Sequence, residues 1–206
     1  NAAAALAWAL ARRPRVLFFP DQHLGRNTAK RQGIPLEEMA LWNPSRPFGG
    51  QEPQALQAAR IILWRGWCNV HQRFRPEHVL ARRAEMPGVR VIVHPECPME
   101  VVDLADEAGS TAEIIRRVEA APAGTKWAIG TEYNLVGRLH DQHPEQTIVS
   151  LSPEPSLCRT MNLITTAKLA RVLEALLDGE LINQVTVPPD VAQSARLALD
   201  RMLEVR

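Results

Sequence analysis

Few residues in this sequence have types and spacings that could do chemistry: three cysteines, Cys68, Cys97 and Cys158, and the neighbouring pair His94 and Glu96. An odd number of widely spaced cysteines cannot close a disulfide framework. These thiols therefore read either as small buried hydrophobes or as ligands of one soft metal, in a reducing compartment. No CxxC pair decides between the two, and a structural zinc completed by His71 or His94 satisfies the same spacing. Cys158 lies just ahead of a helix-forming stretch, where free amide groups stabilise a thiolate. His94 and Glu96 flank Pro95 on a chain leaving an apolar run, which lets both face one side as an acid/base pair; a core histidine beside a surface glutamate fits as well. Gly109, Ser110 and Thr111 precede another helix pattern and either offer hydroxyls and amides to an anion or cap the helix.

The elements that must position these groups alternate along the chain. Apolar runs at 16–19 (VLFF), 60–64 (RIILW), 89–93 (VRVIV), 125–130 (containing KWAIG) and 147–151 (TIVSL) read as short buried strands. Helical patterns lie between them at 2–12, 24–31, 76–85, 98–107, 112–120 and 131–140, and a long one over 162–178 is closed by Gly179. The stretch 33–59 carries Pro35, Pro44, Pro47, Pro53 and the pair Gly49-Gly50, and reads as an irregular insertion. Short apolar strands separated by helices predict the α/β class: parallel sheets covered on both faces in αβα layers. Four polar clusters follow strands: Asp21-Gln22-His23, Cys68 to His71, His94 to Cys97, and Thr131-Glu132. Parallel strands deliver such clusters to one edge, where open α/β sheets bind ligands.

The chain has 206 residues, 46% hydrophobic and 23% charged, the balance of a packed fold and not of a disordered or fibrous chain. Lys plus Arg number 24 against 23 Asp plus Glu, so a net charge of +1 gives no electrostatic ground for a nucleic-acid or membrane partner. No apolar run reaches the roughly 18 residues needed to span a bilayer, and the Ala-rich start lacks a basic leader, which predicts a cytoplasmic protein. GxGxxG, Walker and GxSxG motifs are absent from the sequence, weakening dehydrogenase, phosphoryl-transfer and serine-hydrolase readings.

The segments FFPDQHLGRNTA (18–29), WRGWCNVHQRF (64–74), VHPECPMEVVDLAD (93–106), GST (109–111), WAIGTEYNLVGRL (127–139) and CRTMN (158–162) together resemble the quinolinate synthases of bacterial NAD biosynthesis, in order and over essentially the whole chain. The resemblance is to the subgroup with a longer insertion, here 33–59. It implies three similar αβα domains in pseudo-threefold arrangement, of which about two are present: 1–70 as the remainder of the second, 71–157 as the third, and 158–206 as a helical segment packing back toward a first domain upstream of Asn1. It also implies a transferase that condenses iminoaspartate with dihydroxyacetone phosphate, with an aspartate-oxidising enzyme supplying the imine.

The cofactor implied is a [4Fe-4S] cluster held by three cysteines with one open iron, a Lewis acid for the dehydrations. Carried over by motif, Cys68 and Cys158 match two ligands, and the third is expected upstream of Asn1, with Cys97 the secondary candidate. Glu96 and His94 match the family's catalytic pair, with Glu96 the general acid/base; Ser110 and Thr111 match hydroxyls that bind substrate carboxylate or phosphate, and His71 lies beside the cluster ligand. Half a site of this kind is not expected to turn over alone. A non-catalytic α/β protein with structural zinc, or another iron-sulfur hydro-lyase, are the alternatives.

Overall fold

The computed structural model describes residues 1–205. It is an α/β structure with two short, all-parallel sheets flanked by helices. The first sheet contains β1 (Val16–Phe18), β2 (Met39–Trp42) and β3 (Ile61–Trp64) in the order β1-β3-β2. The second contains β4 (Arg90–Val93), β5 (Glu107–Ala108), β6 (Lys126–Gly130) and β7 (Thr147–Ser150) in the order β5-β4-β6-β7. Two strands of the second sheet, β4 and β6, are central and close to continuously apolar, as burial on both faces demands.

Alternation along β4 and β6 sends side chains to opposite faces, and each face meets its own helices. On one, Val91, Val93 and Ala128 pack with Val79 of α4 (Pro76–Glu85) and Val101 of α5 (Met99–Leu104). On the other, Ile92, Trp127 and Ile129 pack with Ile114 and Val118 of α6 (Thr111–Glu119) and Val136 and Leu139 of α7 (Tyr133–Gln142). Each such aliphatic side chain stabilises the fold by about 1.5–3 kcal/mol on burial. The first sheet packs Ile61 and Leu63 against Leu6 of α1 (Ala2–Leu10) and Ala29 of α2 (Gln22–Arg31). Its other face is more open, with Leu17 51% exposed.

Two stretches differ from the sequence expectation. The prolines of 33–59 suggest an irregular insertion, yet Met39–Trp42 pairs with β3 over four residues and Pro53–Ala58 forms a helix, α3. The apolar run MALW is shielded from recognition by the turn residues that flank it, and it completes the sheet edge. The helix expected over 98–107 ends at Leu104, because Glu107 and Ala108 leave it to pair with Ile92 and Val93 as β5. The long C-terminal helix begins only at Thr166 and runs to Leu177 as α8; α9 covers Pro189–Glu204. Both carry exposed leucines, Leu169, Leu173 and Leu197 among them. Arg82 of α4 is structural: its Nε donates to the carbonyl of Ser150 at the end of β7. No described helix is long and apolar enough to cross a membrane.

Candidate functional site

Every strand-end cluster sits at the carboxyl edge of its sheet. The loop after β3 carries Cys68 and the short helical turn His71–Arg73; the loop after β4 carries His94 and Glu96. They meet. His71 Nδ1 lies 2.9 Å from Glu96 Oε2, and His71 Nε2 lies 3.1 Å from Thr131 Oγ1 after β6. The His71 and His94 rings stack at 4.1 Å with planes 8° apart. The amide of Glu96 donates to His94 Nδ1 at 3.2 Å, which places the His94 proton on Nε2.

The protonation pattern follows from this packing. Burial, together with the stacked His71 ring, pushes His94 down to about 4, so its imidazole is neutral at pH 7. The hydrogen bond from His71 outweighs burial and holds the Glu96 carboxyl below the usual carboxylate range. The site therefore presents a carboxylate able to take a proton beside a neutral imidazole able to donate a hydrogen bond through Nε2.

Two cavities open here. One, of about 700 Å³, is lined by His94, Glu96, Ser110, Asn27 and Arg31 among others. Asn27 is buried and its amide nitrogen donates to the carbonyls of Pro95 (2.8 Å) and Cys97 (2.9 Å), tying α2 to the His94–Cys97 loop. Its Oδ1 has no protein partner. The other cavity, of about 460 Å³, is lined by Cys68, His71, Thr111, Thr131, Glu132 and Cys158. Ser110 caps α6 by accepting from the Glu113 amide, so the capping role considered for it is present while it also lines the larger cavity.

The three thiols have different surroundings. Cys68 and Cys158 are partly accessible on one cavity. Hydrogen bonds from Thr160 and from the Met161 amide pull Cys158 below the ordinary thiol range, favouring the ligating thiolate. Cys97 is fully buried among Val91, Val93 and Val101, its Sγ near the Gly130 carbonyl, and burial pushes its thiol far up. Cys68 Sγ also lies within 4.8 Å of ligand atoms of His71 and Glu96, a mixed sulfur, nitrogen and oxygen set. Two thiols converging on one cavity fit two ligands of a metal or cluster shared between loops.

Two contributors carry no sequence signal for their roles. Thr131 fixes the outer nitrogen of His71 from the end of β6, and Asn27, inside α2, reaches across between the sheets; nothing in their spacing shows what they touch. Gly66 is a third. A Cβ there would stand 2.0 Å from the Pro20 carbonyl oxygen, so the loop approaches the end of β1 too closely for a side chain. Gly66→Ala is expected to destabilise the chain by about 1–3 kcal/mol through this overpacking. Thermal unfolding checks it, and an unchanged midpoint would mean the Cys68 loop shifts freely.

The model of the family described as quinolinate synthetase A protein matches residues 1–204. The chain belongs to the quinolinate synthetase A family. It is 54% identical over 205 residues to a quinolinate synthase of Corynebacterium glutamicum, covering all of this chain and 52% of that protein. It is 50% identical to the quinolinate synthase of Herpetosiphon aurantiacus and 52% to that of Rhodopirellula baltica, covering all of this chain and 55% and 53% of those proteins. The chain thus spans about half the length of the quinolinate synthases it matches.

Proposed function

We propose that this chain provides two cysteine ligands and the acid/base centre of a quinolinate synthase, which condenses iminoaspartate with dihydroxyacetone phosphate to quinolinate, phosphate and water in NAD biosynthesis. The observation that carries the reading is the placement of Cys68 and Cys158 on one cavity beside His71, whose ring is bonded to Glu96. Cys68 and Cys158 would hold a [4Fe-4S] cluster together with a third cysteine outside this sequence, upstream of Asn1; Cys97, sealed in the core, is the weaker candidate. When bound, the cluster with its open iron supplies Lewis acidity toward oxygen and nitrogen atoms of the substrates.

The chain's own residues do the rest. Glu96 takes protons from the condensing substrates and returns them to departing water, and His71, braced by Thr131, keeps the carboxylate oriented. His94 donates from Nε2 to a substrate oxygen. Ser110 and Thr111 hydrogen-bond carboxylate or phosphate, with Arg31 adding positive charge in the larger cavity. Iminoaspartate hydrolyses readily, so an aspartate-oxidising enzyme in the same cytoplasm would feed it. We divide the chain at about residues 70 and 157, and assign 158–206, with its exposed leucines, to contact with the remainder of the longer protein.

Iron, sulfide and zinc content tests the proposal, measured after anaerobic reconstitution of the 206-residue chain and of a version extended upstream by about one 100-residue domain. Roughly four irons are expected in the extended version and not in the short one. A full cluster in the short chain would make Cys97 a ligand; stoichiometric zinc in both would establish the structural metal site instead.

A further inference from the structure

The two cysteine loops are copies of one device, although WCNVHQRF and LCRTMNLI share little beyond the cysteine. Cys68 follows β3, one of whose two parallel neighbours is β1; Cys158 follows β7, whose parallel neighbour is β6. Past the end of each neighbour stands a buried carboxylate, Asp21 at the N-cap of α2 and Glu132 at the N-cap of α7. One oxygen of each does what a cap does: Asp21 Oδ1 accepts from the Leu24 amide at 2.8 Å, and Glu132 Oε2 from the Asn134 amide at 2.7 Å. The other reaches across to the cysteine: Asp21 Oδ2 accepts from the Cys68 amide at 2.9 Å, and Glu132 Oε1 from the Cys158 amide at 3.2 Å.

The surrounding main chain repeats too. The amide after each carboxylate, of Gln22 and of Tyr133, donates to the carbonyl two residues before the cysteine, of Gly66 and of Ser156, at 3.0 and 3.1 Å. Each cysteine carbonyl then accepts from the amide four residues on, Gln72 or Asn162, at 3.1 Å. A short helical turn follows at His71–Arg73 or Met161–Leu163, and a long helix after it.

Burying a carboxylate is costly unless hydrogen bonds compensate it, and a helix cap alone needs one oxygen on a small residue at the surface. Capping therefore accounts for half of what Asp21 and Glu132 do. We propose that they are positioning residues, each clasping the main-chain amide of one cysteine so that both thiols stay directed at the shared cavity. Their value to a cluster rests on the synthase reading above; the clasp itself does not.

Asp21→Asn and Glu132→Gln keep size and cap but leave one acceptor oxygen where two amides need two. Amide hydrogen exchange in the 206-residue chain is read at Cys68 and Cys158, and iron release to a chelator in the extended, reconstituted protein. Asp21→Asn is expected to speed exchange at Cys68 about tenfold or more while leaving Cys158 unchanged, Glu132→Gln the reverse, and each to speed iron release several-fold. Asp21→Ser and Glu132→Ser, which retain a capping hydroxyl without the second acceptor, should give the same pattern if either amide variant folds poorly. Exchange rising across the whole chain, unaltered exchange at the clasped amide, or iron release at the unsubstituted rate would overturn the proposal. If the unsubstituted extended protein holds no iron, the cluster reading fails, and the exchange pattern still decides the clasp.

Discussion

Glu96→Gln in the full-length protein is expected to keep its iron and lose about 10²–10⁴-fold in kcat, the range over which positioned acid/base groups act. Glutamine has the same shape and still offers an oxygen to His71 Nδ1, now 2.9 Å from the carboxylate, so the His71–Thr131 chain survives. What is lost is the ability to take a proton. The carboxyl is held below the usual range by its hydrogen bond from His71, so at neutral pH the unsubstituted site starts from the ionised base. His94, pushed down to about 4, is neutral there and cannot substitute as a cationic acid without first gaining a proton. The measurement is steady-state turnover alongside iron content: near-normal kcat removes Glu96 from the chemistry, whereas loss of iron together with turnover would make it a structural support of the cluster loop.

His71 shows why this site was only partly legible in the sequence. The alternation of apolar runs and helical patterns is a local property, and the strands at 61–64, 90–93, 126–130 and 147–150 stand where the runs VRVIV, KWAIG and their like place them. Parallel strands sharing one direction then put Asp21, Cys68, His94 and Glu132 at carboxyl edges. That much follows from period and topology. The contacts do not: His71 meets Glu96 and Thr131 from two different loops, and Asp21 meets an amide, which has no residue type to reveal it. β2 and β5 were hidden for a related reason. Four apolar residues among prolines, or two residues at a helix end, are too short to show a period, and only pairing with β3 or β4 makes them strands.

The same separation of local from assembled information sets the expected result for the cysteines. By spacing alone, Cys68, Cys97 and Cys158 form one trio, and only the family resemblance sets Cys97 below the other two. In the fold Cys158 is partly accessible, with hydrogen bonds from Thr160 and the Met161 amide that favour its thiolate, whereas Cys97 has no accessible surface and sits in an apolar core that disfavours one. Removing a ligand removes a metal bond that no neighbour replaces, while exchanging a core thiol for a hydroxyl costs packing and polarity, about 1–3 kcal/mol, and leaves the metal ligands in place. Cys158→Ser in the extended protein should therefore abolish cluster assembly, with iron falling close to background, and Cys97→Ser should retain most of the iron with a lowered melting temperature. Iron and sulfide analysis beside thermal unfolding separates the two effects. Equal loss of iron in both variants would mean that the His94–Cys97 loop opens to deliver its thiol, an arrangement that would have to break the two hydrogen bonds Asn27 makes to that loop.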